Sequence, residues 1–146
     1  MITNQEADEK VTAGWIKTWL MFEVLAVTKE ASKKALESLM NRLENDDRVK
    51  MYKRDFGDFI RVEKPIENID EGFSLTCEVE VVSKKLDYLF QIVTEYGPSA
   101  IELLAPSKLQ MDSGEIQNIL NSLASILHRF AAAGVGGMVF IREKGE

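Results

Sequence analysis

The sequence predicts an α+β protein of ferredoxin-like order, β-α-β-β-α-β, with an antiparallel sheet in the strand order 4-1-3-2 and an added C-terminal helix. Three observations predict it. Residues 73–82, FSLTCEVEVV, alternate between apolar and polar, the period of a strand with one buried face. Leu86, Leu89, Phe90, Val93 and Tyr96 then follow at helical spacing and stop at Gly97-Pro98, where glycine accepts positive φ and proline cannot continue the helix. Ala100–Leu104 is a second short apolar strand. Right-handed crossovers place two helices on one face of the sheet.

Met1–Ala13 is polar and acidic and reads as a disordered or loosely packed leader. It lacks the basic end and apolar run of a secretion signal, so a cytoplasmic chain is expected. Residues 14–146 then read as one domain. Trp15–Val27 is rich in residues that suit strands. Trp15 and Trp19 lie four apart, the spacing of a rival helix. Ile16, Leu20, Phe22, Val24 and Ala26 nevertheless share one side at period two, interrupted only by Thr18.

Thr28 can cap the next helix, whose face is Ala31, Ala35, Leu36, Leu39, Met40 and Leu43. Asn45-Asp46-Asp47 is a turn, and Val49–Arg54 a strand. Across 55–72, Gly57 marks a turn or bulge. Phe59, Ile60 and Val62 either extend that strand or form a hairpin arm, and Pro65 ends it for want of an N–H. Ser83 offers a cap for the second helix. After Pro106, Asp112 and Glu115 have the spacing of a capping box. Ile116, Ile119, Leu120, Leu123, Leu127 and Phe130 form the stripe of a third helix, and Met138–Ile141 is a further edge strand. Phe22, Leu36, Leu75, Val79, Leu89, Phe90 and Leu120 are the expected core.

Composition narrows the function. The chain has 146 residues and a net charge of -6. An acidic surface is repelled by phosphate, which disfavours nucleic acid and anionic membrane. The basic stretch Lys50, Lys53, Arg54, Arg61 and Lys64 alternates with Asp46, Asp47, Asp55, Asp58 and Glu63, as on a solvated strand edge. The single cysteine, Cys77, allows no intrachain disulfide and lies on an apolar strand face, as a core residue does. No membrane span is expected, because Phe130–Ile141 falls short of the ~18 residues one needs.

From Glu71 onward the pattern EGFSLTCEVEV, then LDYLFQIVTEYGPSAIELLAP, then a closing helix through His128 resembles the C-terminal extension of bacterial WYL-domain transcriptional regulators. Gly97-Pro98 and Leu104-x-Pro106 match in type. Those extensions are ferredoxin-like and belong to ligand-responsive regulators. The resemblance therefore implies a sensor or assembly role; it carries over no ligand-binding residue.

Neither His128 nor the glycines at 134–137 suggest a catalytic site. His128 has no nucleophile or acid near it in sequence, and the glycines follow a helix rather than precede one, the reverse of a phosphate loop. The informative surface is the sheet face away from the two helices. Period two gives it Trp15, Lys17, Trp19, Met21 and Glu23, then Ser74, Thr76, Glu78 and Glu80, then Glu102 and Leu104. Two indoles among carboxylates suit a dimer interface, a ligand platform or a hard-metal site. Cover by the third helix, through Leu123 and its neighbours, together with dimerisation ranks first. Metal ranks last, since a one-residue slip would scatter the glutamates. The expectation is a non-enzymatic assembly or regulatory binding protein, a homo-oligomer without cofactor. A small-molecule sensor and an enzyme with a site across a dimer interface are the alternatives.

Overall fold

The computed structural model describes residues 1–134, which fall into two compact units, Met1–Leu109 and a second that begins at Gln110. The first holds α1 (Asn4–Thr12), β1 (Ile16–Ala26), α2 (Lys29–Glu44), β2 (Val49–Phe56), β3 (Ile60–Ile66), β4 (Ile69–Ser83), α3 (Leu86–Tyr96) and β5 (Ala100–Ala105). The second holds α4 (Ser113–Ala132). The edge strand expected at Met138–Ile141 lies outside the described residues.

The protein is α+β, with a five-stranded antiparallel sheet. Its strands run β2-β4-β1-β5, and β3 also pairs with β4. β4 is long enough to serve two partners: residues 77–83 pair with β2, while 69–74 pair with β3. The ambiguous 55–72 segment therefore folds as a hairpin arm. Gly57 makes the break between β2 and β3. Its N–H donates to Thr76 O at 2.9 Å, and a Cβ there would stand 2.6 Å from Thr76 Oγ1. Only glycine lets the chain pass that close. Pro65 lies inside β3 rather than ending it, at an irregularity between Glu63 and Ile66, where a missing N–H breaks no ladder bond.

The core occupies one sheet face. Leu20 and Phe22 of β1, Leu75, Cys77, Val79 and Val81 of β4, and Val49 and Met51 of β2 pack against Leu36, Met40 and Leu43 of α2 and Ile92 and Tyr96 of α3. Thr28 caps α2 through Ala31 N. The cap of α3 differs from expectation: Lys85 stands at the N-cap, and the buried Ser83 hydroxyl donates instead to Arg48 O and Lys85 O. Gly97 ends α3 with φ +63, the left-handed conformation that glycine adopts without strain. Of the expected core, Phe90 is only half-buried and Leu120 is 55% exposed.

The leader is not disordered. Thr3 Oγ1 accepts from Glu6 N, and Glu6 Oε2 accepts from Thr3 N at 2.6 Å, a complete capping box. Ala7 of α1 is fully buried against Tyr52 and Val82, with Ile2, Val11 and Trp15 beside them. Ile2 N donates to Met51 O, and the Met1 ammonium pairs with Glu44. A helix of 9 residues is marginal on its own; its cap and this docking hold it.

Candidate functional site: the second sheet face

The strand register builds this face. Trp19 lies opposite Glu80 of β4 and opposite Glu102 of β5. Met21 lies opposite Glu78 and Ala100, and Glu23 opposite Thr76. The indole of Trp19 thus projects between two strands that each place a carboxylate at the same level, roughly 5 Å to either side. Trp19, Met21 and Glu80 are half-buried; Glu23, Glu78 and Glu102 are exposed. Six of the eight expected residues, Trp19, Met21, Glu23, Glu78, Glu80 and Glu102, come together here.

Trp15 lies at the end of the same face, apart from the carboxylates. It precedes β1, lies half-buried in the cluster under α1, and carries Lys10 Nζ 4.4 Å from its ring centroid. Leu123 belongs to α4 in the second unit. Part of this face is under cover. Within the first unit the cover comes from α1, which takes the end of the face formed by Trp15, Tyr52 and Val82.

The carboxylates divide by their partners. Glu23 Oε1 accepts from Ser74 Oγ at 2.6 Å. Lys17 is held by Asp8 of α1 and lies over the Tyr52 ring, and Lys53 pairs with Asp55. Among the described residues no ion pair is found for Glu78, Glu80 or Glu102. Tyr52 was missed by the sequence reading. Alternation from the core-facing Met51 already places it on this face, the bulge between Met51 and Lys53 brings Lys53 there as well, and the Tyr52 Oη is buried with the Glu80 carboxylate nearby. Burial pushes its phenol up, and the nearby Glu80 carboxylate adds to the effect. Alternation along Val49–Tyr52 could have placed Tyr52 on this face, but its burial depends on the docking of α1.

Of the basic stretch at 50–64, Lys53, Arg54 and Arg61 have carboxylate partners. Arg54 donates to Asn41 and Glu44, and Arg61 pairs with Glu63 and Glu71. A hollow of about 350 Å³ at the β3–β4 turn, lined by Lys64, Ile66, Glu67, Asn68, Ile69 and Asp70, shares no residue with the sheet face. Among the described residues there is no group of three His, Cys, Asp or Glu able to hold a metal.

α4 presents a different surface. Asp112 Oδ1 caps it by accepting from Glu115 N at 2.8 Å. None of its residues is buried. Ile116, Leu120, Leu123, Leu127 and Phe130 are 44, 55, 41, 42 and 48% exposed, while Ile119 and Ile126 are half-buried. No helix among the described residues is long and apolar enough to cross a membrane.

Comparison with known proteins adds one match. A family model, the MJ0538 family, covers residues 17–144. No curated protein and no solved structure matches the chain.

Proposed function

The chain belongs to the MJ0538 family, and for it we propose a non-enzymatic role in assembly, as a homo-oligomer held through α4. One observation carries the reading: five of the seven large apolar side chains of α4 are each at least 41% exposed along one face. Scattered exposed leucines need no explanation, but a continuous apolar stripe on a helix marks an interaction surface. Covering it gains about 25 cal/mol per Å² of apolar area. The scaffold that goes with this reading is ferredoxin-like with β3 as an addition; it is supported by the strand order and by α2 and α3 packing on one face. Sedimentation of the wild type and of Leu123→Glu tests the assembly. The wild type is expected to sediment as an oligomer, and the variant as a folded monomer. A wild-type monomer at high protein concentration overturns the reading.

The sheet face supports a second reading, a sensor for a small cationic ligand. Trp19 with Glu80 and Glu102 at its sides offers an aromatic face and two carboxylates, a set that suits an amine. The resemblance of residues 71 onward to the extensions of ligand-responsive regulators supports it as well. Titration with spermidine is expected to quench Trp19 in a saturable way, and Glu80→Gln with Glu102→Gln to abolish the quenching. A flat titration of the wild type removes this reading.

A further inference from the structure

We infer that α4 pairs with α4 of a second copy of this chain, antiparallel and in one register. The inference rests on the assembly reading above and specifies its geometry. Its first support is spacing. The exposed side chains fall at 116, 120, 123, 127 and 130, steps of four, three, four and three. These are the a and d positions of a seven-residue repeat, with Leu120 and Leu127 at a and Ile116, Leu123 and Phe130 at d. Such a seam is built to meet another helix along its length.

Charge selects the occupant. The protein carries -6 overall, so two copies repel unless they meet on an uncharged surface. Residues 116–127 contain no charged side chain. The positions flanking the seam are Gln117, Ala124 and Ala131 on one side and Ile119 and Ile126 on the other, so a strongly charged partner would find nothing to pair with there. A membrane surface fits poorly too. The opposite side of the helix carries Asn118, Asn121, Ser122 and Ser125, with Arg129 only at its end, where a membrane-bound helix would show lysine and arginine along its length.

Charge also selects the direction. Asp112 and Glu115 stand at the N-terminal end of α4, and His128 and Arg129 at the C-terminal end. Antiparallel helices set the acidic end of each beside the basic end of the other and align their dipoles head to tail. Parallel helices would set like beside like. The register follows from the seam. With Leu120 against the second copy's Leu123, Ile116 meets Leu127, Ile119 flanks Ile126, and Glu115 comes level with His128. A two-fold axis then passes between Asn121 and Ser122, and Gln117 lies across from Ala124. Shifting the pairing one heptad toward the C-terminus keeps as many seam contacts but leaves Glu115 beyond the basic end.

Cross-linking tests this. Gln117→Cys and Ala124→Cys are separate variants at exposed positions, and the native Cys77 is buried and stays out of the reaction. The two are refolded together and treated with bis-maleimidoethane. A covalent dimer is expected in the mixture and not in Gln117→Cys alone, whose two positions lie roughly 13 Å apart along the axis. Dimers by sedimentation without a cross-link in the mixture overturn the register while leaving assembly standing, as does a cross-link within Gln117→Cys alone. A wild-type monomer overturns assembly itself. Circular dichroism confirms that each variant is folded; should one fail, Asn118→Cys, on the outer side, must give no cross-link with wild-type-like sedimentation, and a cross-link there overturns the pairing.

Discussion

Arg48 and Glu95 lie 47 residues apart, and Arg48 Nη2 donates to Glu95 Oε2 at 2.6 Å. The same nitrogen donates to Asp46 Oδ2 at 2.7 Å, Arg48 Nε donates to Asp46 Oδ1 at 2.9 Å, and Tyr96 Oη donates to Asp46 Oδ2 at 2.9 Å. One guanidinium therefore ties the turn before β2 to the last turn of α3. The fork geometry of arginine makes this possible where lysine would serve only one carboxylate.

This network predicts the acid response. Hydrogen bonds from Arg48 hold the Asp46 carboxyl well below the usual range and lower that of Glu95 as well. A carboxylate depressed in the folded state contributes stability that is present above its unfolded value, about 4, and is lost as pH falls toward the folded one. Stability to urea is expected to be level near neutrality and to decline below about pH 4. Arg48→Met is expected to be less stable at pH 7 and to show a shallower decline. An unchanged acid slope in the variant would remove Arg48 as its cause.

The docking of α1 gives a second expectation. Ala7 is fully buried against Tyr52 and Val82, with no room for a longer side chain. Ala7→Leu is expected to destabilise by about 1–3 kcal/mol, the usual range for overpacking, and to shift Trp15 emission to the red as α1 lifts. A variant with wild-type stability and emission would show that the helix does not depend on this contact.

Cys77 supplies a third. Burial pushes its thiol up to about 11, and its residue has no exposed surface. The thiolate is the reactive form, so native protein at pH 8 is expected to resist thiol reagents and to label only as it unfolds. Fast labelling of native protein would place Cys77 at an accessible position.

Several features were legible in the residues themselves. Alternation at 73–82 identified the long central strand and both of its faces, because a pleated strand turns successive side chains to opposite sides whatever surrounds it. Asp112 marked the start of α4 and Gly97 the end of α3, because caps depend on local backbone chemistry. The pairing of Trp19 with Glu80 and Glu102 follows once those strands are placed.

Other features depended on contacts distant in sequence. Thr3 and Glu6 carry the capping box, yet α1 looked disordered, since a polar helix is held by the surface it meets. Tyr52 shares a face with Val82 by simple alternation, but it is buried there because α1 docks over it. Gly57 could have been a turn of several kinds until Thr76 approached it. The stripe of α4 shows the contrast most clearly. Its period announced an apolar face, and Leu120 was expected in the core, but periodicity records only that a helix has a side suited to burial. Which surface does the burying is decided in three dimensions, and in this fold Leu120 is left 55% exposed.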